Sequence, residues 1–188
     1  MKKLTTIMSM LYLLTSIPAL AETVDIDFTY TDDHRVDFST LKGSLQVGQF
    51  KDERSGVSPT LITSVNFGHT TDGYTSSKPV ADLIEDALRQ GFISGGASLV
   101  DADADFTLTG GILAIDAVAV DRGGVESIQL TFRTKLELKS GGRTLWQTTL
   151  FGRGISPVTD GIVPAVEAAL SRTIRELVRD DYFKMEIL

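Results

Sequence analysis

The chain has 188 residues, a net charge of −7 from 18 Lys and Arg against 25 Asp and Glu, and no cysteine. That balance argues against nucleic acid or an anionic membrane surface as a partner, because both reward clustered cations. Without cysteine there can be no disulfide and no lipid attached in the manner of bacterial lipoproteins, so stability must come from an ordinary core, which a chain of this length can build.

Lys2 and Lys3 precede an apolar run that contains Met8, Met10, Leu11 and Leu13, and Pro18 ends it. Ala19-Leu20-Ala21 then has the small-x-small form that signal peptidase requires. The run is short for a membrane span, which needs about 20 residues. The expectation is a cleaved leader over 1–21 and a periplasmic mature chain over 22–188, one domain of 167 residues with a net charge of −9 and no direct lipid anchor.

Val24, Ile26, Phe28 and Tyr30 alternate with Asp25, Asp27 and Thr29, which predicts a half-buried strand. A second apolar run, Leu45, Val47 and Phe50, ends in Asp52, Glu53 and Arg54. Asp52 and Arg54 are two apart, so on an extended strand they share a face and can pair with each other or anchor the following turn, with Glu53 turned to water. From 55 to 77 the chain is rich in Gly, Ser and Thr and reads as a long, flexible excursion with one short strand at most. Pro79 then suits a first helical turn, and Val80, Leu83, Ile84, Ala87 and Leu88 form an amphipathic stripe that Gly91 would stop.

A three-stranded meander is predicted next. Its first strand runs from Phe106 to Ile115, with Gly110-Gly111 marking a bulge or bend. Asp121 to Gly124 is a turn, and Ile128 to Lys139 alternates cleanly between apolar and polar residues. Ser140-Gly141-Gly142 turns the chain again into a strand from Leu145 to Phe151. A closing helix carries Val163, Val166, Leu170, Ile174 and Leu177 on one side. Two helices with one greasy face each need a sheet to cover, so the fold class is α+β: an antiparallel sheet with both helices packed on one face.

The chemical motifs are sparse. Asp101-Ala102-Asp103-Ala104-Asp105 opens like a calcium loop, but Phe106 and Ile112 stand where that loop needs Gly and Glu. His34 and His69 have no zinc-binding arrangement around them. His69 lies near Asp72 in the excursion, yet no nucleophile motif accompanies the pair. Gly91 to Gly96 follows a helix instead of opening one and lacks the ending of a phosphate loop. Arg133, Lys135 and Lys139 are interleaved with Gln129 and Glu137, which reads as a mixed solvated face. No catalytic residue, metal ligand or cofactor site is expected.

Taken together, VGQFKDERSG, KPVADLIEDALRQGF, ADFTLTGGI, LTFRTKLELKSGGRTLWQTTLFGRG and the closing helix resemble the YajG-like family of bacterial envelope lipoproteins. The family's Asp-x-Arg signature at a strand end is matched by Asp52 and Arg54, its Gly-aromatic helix end by Gly91-Phe92, and its entry to the meander by Ala104 to Leu108. The resemblance implies an α+β sandwich, related in shape to the N-terminal domain of TolB and to LpoB-type activators, and no established catalysis. Members usually carry a lipid, and this chain departs from them there. The expected function is a non-enzymatic assembly or accessory factor, with an envelope protein as partner and a second copy of the chain also open. Its contact surface would be an exposed strand edge or the excursion. The alternative is a small-ligand or carbohydrate-binding module using Tyr74 and Trp146.

Overall fold

The computed structural model describes residues 20–31, 36–69 and 71–188, so most of the predicted leader and His34 lie outside the described residues. In chain order the elements are β1 (Glu22–Val24), β2 (Leu45–Asp52), β3 (Leu61–Thr63), β4 (Tyr74–Ser76), α1 (Val80–Ser94), β5 (Phe106–Asp121), β6 (Glu126–Ser140), β7 (Arg143–Pro157), α2 (Val163–Arg179) and α3 (Asp181–Ile187). The class is α+β, with a four-stranded sheet in the order β2-β5-β6-β7 and a small sheet in the order β1-β4-β3.

β5, β6 and β7 form the antiparallel meander, and their alternation explains why. Ile128, Leu130, Phe132, Leu136 and Leu138 are all buried, while Gln129, Thr131, Arg133, Lys135 and Glu137 face outward to varying degrees. The expectation of a wholly antiparallel sheet needs one correction, because β2 runs parallel to β5, from Leu45 beside Phe106 to Asp52 beside Ile112. A parallel neighbour requires a long crossover. Here β3, β4 and α1 all lie within it.

α1 packs on β2, α2 packs on β7 and β6, and the two helices touch each other, so both cover the same face. Gly91 lies inside α1 instead of ending it, and the helix runs on to Ser94 with Gly95 as its cap. A Cβ at Gly91 would stand 2.5 Å from Cγ2 of Ile174, so the missing side chain is what lets α1 approach α2.

The alternation at residues 24–30 is realised as burial without a ladder. Ile26 and Tyr30 are buried and Asp25, Asp27 and Thr29 are exposed, yet the strand proper is only Glu22–Val24. The backbone of the extended segment pairs instead with a side chain of α1. The Tyr30 amide donates to Oε1 of Gln90 at 2.9 Å, and Nε2 of Gln90 donates to the Phe28 carbonyl at 3.0 Å.

The excursion over 55–77 carries two strands, β3 and β4, antiparallel to each other, with β1 parallel to β4. The bulge in β5 falls between Ile112 and Ala114, not at Gly110-Gly111. Those two glycines make room for neighbours on opposite faces: a Cβ at Gly110 would meet the Phe50 ring at 2.4 Å, and one at Gly111 would meet the Glu53 carboxylate at 2.5 Å. α3 is an element the periodicity did not reveal. Asp180 caps it by accepting from the Phe183 amide at 2.9 Å, and Phe183 packs on Trp146 and Phe92 with ring centres 5.0 and 6.0 Å apart.

Candidate functional site

At the end of β2, Asp52 and Arg54 meet in a bidentate pair. Nε and Nη2 of Arg54 donate to the two carboxylate oxygens at 2.8 and 2.6 Å. Both side chains are largely buried, at 7% exposure for Arg54 and 12% for Asp52. Nη1 of Arg54 also donates to the Leu61 carbonyl at 2.7 Å, which ties the start of β3 to the end of β2. The Arg54 hydrogen bonds hold the Asp52 carboxyl below the usual carboxylate range, against the opposing effect of burial. All three guanidinium nitrogens donate inside the clamp, so the pair has little left to offer a ligand.

The other polar features of the sequence are spread apart. Asp105 accepts from the amide and the hydroxyl of Ser44, each at 2.8 Å, and those bonds hold its carboxyl low. Asp101 is exposed and comes no nearer than 3.9 Å to Arg89. Among the described residues no group of three or more His, Asp and Glu is placed to hold a metal ion. His69 and Asp72 are both exposed, and no hydrogen bond joins their side chains among the described residues. On the outer face of β6, Glu137 pairs with Lys135 at 2.5 Å and Lys139 at 2.9 Å. The two lysines, Lys135 first, hold the Glu137 carboxyl low, and Glu137 raises Lys135 in return.

The two aromatic residues that a ligand site would need are in the packing. Trp146 is 7% exposed beneath Phe183, and Tyr74 is 3% exposed beside Phe67, with ring centres 6.3 Å apart. Neither has an open ring face on which a sugar could stack, and burial pushes the Tyr74 hydroxyl up.

Sequence reasoning found the clamp but missed a groove beside β7. β7 is the terminal strand of its sheet, and among the described residues nothing hydrogen-bonds to the backbone along its outer edge. α2 lies against β7 because two glycines let it. A Cβ at Gly154 would stand 1.8 Å from the Ala165 carbonyl oxygen, and one at Gly152 would stand 1.9 Å from Oγ1 of Thr173. The close approach leaves a groove of about 650 Å³ wrapping the strand edge. Thr149, Phe151, Arg153 and Ile155 supply its strand wall, and Arg172, Arg175 and Glu176 its helix wall. Phe151 is 56% exposed, and Arg153 is exposed with no ion pair among the described residues. Arg172 pairs with Glu176 at 2.6 Å. The available signals were the FGRG glycines and the four-residue spacing of Ala165, Ala169 and Thr173, which together mark a strand and helix in close contact.

A mixed α+β sandwich of this kind is known among solved structures. No family model and no curated protein matches the chain. Its fold is similar to that of a Xanthomonas campestris protein assigned to the DUF330 family. The TM-score is 0.61 over 84% of this chain and 93% of that one, with 20% identity. It has a looser likeness to a minor lipoprotein from Acinetobacter baumannii, with a TM-score of 0.40, 9% identity, and coverage of 73% of this chain and 94% of that one. At these identities the first likeness speaks to the fold alone, and the second carries no argument.

Proposed function

We propose that this chain is a non-enzymatic envelope protein of the periplasm that works through protein–protein contacts, as an assembly or accessory factor. The observation that carries this reading is the outer edge of β7, a 15-residue strand with one side unpaired among the described residues and Phe151 exposed along it. A long open edge is a template for a further strand, and one left uncovered beside a shaped groove is suited to recognition. The envelope location rests on the leader-type pattern from Lys2 to Ala21, and the accessory role on the resemblance to the YajG-like family.

Site-specific photo-crosslinking in intact cells tests the reading. A photoreactive residue in place of Phe151 is expected to give an adduct with another protein, and one in place of Asp86 on the exposed side of α1 is expected to give none. Absence of an adduct at Phe151, with both variants folded and exported, would overturn the contact role.

A further inference from the structure

We propose that the edge of β5 beyond β2, from Ala114 to Val120, is where a second copy of this chain pairs, strand to strand and antiparallel, about a two-fold axis near Val118. This surface is distinct from the β7 edge and does not depend on the contact assigned there. β2 accompanies β5 only as far as Ile112, where the Glu53 amide makes the last bond. Beyond it, no backbone hydrogen bond among the described residues reaches this edge of β5. The bared segment reads AIDAVAV, with Asp116 as its one charge and no proline or glycine, and Val118 is 48% exposed. Unpaired edges are ordinarily guarded by lysine, proline or a bulge, and an apolar, β-branched stretch without them pairs readily. The bulge of β5 lies before this segment, between Ile112 and Ala114. β7 has guards of this kind in Arg143, Arg153 and Pro157, which suits it to a partner other than a second β7.

What identifies the occupant is the fit between the two ends of the segment. Antiparallel pairing about Val118 sets Ala114 beside Arg122 of the second copy, so the β5–β6 tip of each copy meets the end of β2 in the other. The tip presents Val125, 49% exposed, and Arg122, which makes no ion pair among the described residues. The β2 end presents a hollow of about 340 Å³ whose lining includes Val57, Leu61, Ile62, Leu113 and Ile115. Beside it Glu53 lies over Gly111, also without an ion pair among the described residues, although Lys135 feels its charge. A valine for an apolar hollow and a cation for an anion make the patch self-complementary, as a two-fold interface has to be. Each contact occurs twice, and the two sheets become one.

Sedimentation equilibrium of the purified protein tests this, with every variant checked by thermal melt. The unchanged protein is expected to pass from monomer to dimer as its concentration rises. Val118→Lys opposes two like charges across the axis and should weaken association by roughly tenfold or more. Arg122→Glu should weaken it by about tenfold at most, and adding Glu53→Arg to that variant should recover most of the loss. The chain has no cysteine, so Val118→Cys supplies a single thiol per copy. Mild oxidation should link Val118→Cys copies through a disulfide and leave Phe151→Cys copies unlinked. A monomer at every concentration, or association unchanged by Val118→Lys, would overturn the proposal. Linkage of Phe151→Cys in place of Val118→Cys would move the self-contact to β7 and overturn it as well. A folded double variant that associates no better than Arg122→Glu alone would overturn the meeting of tip and β2 end. Should the double variant melt early, linkage at Val118→Cys decides the register.

Discussion

The four-stranded sheet has two sides that end in different ways. On the β2 side the edge strand is short and bulged, and it finishes in a buried ion pair whose donors reach across to β3. On the β7 side the edge strand is nearly twice as long and ends in no such lock, and its charged residues line a groove instead of closing one. Both sides carry arginine, but Arg54 is satisfied by Asp52 and a carbonyl, whereas Arg153 has no ion pair among the described residues. The contrast shows how the same residue type can serve stability in one place and recognition in another. What separates the two is burial and the presence of a partner.

The largest effect should come from the contact that builds the groove. Gly154→Val would force a side chain into the Ala165 carbonyl, and backbone cannot step aside as a flexible side chain can. A loss of about 3 kcal/mol is expected in urea unfolding, at the upper end for overpacking. Nearly as large, Arg54→Ala should cost about 2–3 kcal/mol by stranding Asp52 and the Leu61 carbonyl, with faster proteolysis between 55 and 77. An unchanged melt and cleavage pattern in that variant would sink the idea of a lock.

A smaller effect concerns acid. The folded-state carboxyl of Asp52 is depressed, so its stabilising contribution is present above the ordinary carboxylate value of about 4 and is lost as pH falls through that value toward the lower folded one. Melts recorded across the acid range should therefore be less steep in Arg54→Ala than in the unchanged protein. The smallest effect is the sharpest contrast: Arg153→Glu should leave stability within about 0.5 kcal/mol, as an exposed substitution does. If it unfolds the protein, the β7 edge is structural too, and the distinction between the two sides fails.

Much of this was legible before any coordinates, and the limits have physical causes. The β6 alternation and the stripes of α1 and α2 are local periodicities, so each could be read from its own segment. The Asp52–Arg54 pair was legible for the same reason, since residues two apart in an extended segment are neighbours even though β2 itself ends at Asp52. Residues 24–30 show where locality stops. Alternation reports which side chains are buried, but it does not say whether a strand or the amide of Gln90 takes the backbone bonds. Gly91 could be read as a helix stop because nothing near it in sequence announces Ile174. The β7 groove needs two elements at once, and no single segment displays it. α3 is too short, at seven residues, for a periodic pattern to stand out.

The parallel pairing of β2 with β5 has a consequence for how the chain comes together. β5, β6 and β7 are joined by tight turns, so each strand meets its neighbour soon after it is made. β2 must wait until Phe106 exists before Leu45 has a partner. Closing so long a loop costs entropy before any contact repays it, and distant pairings of this kind slow folding. An early strand is thus expected to be a late arrival, pairing only after the residues of β5 are in place.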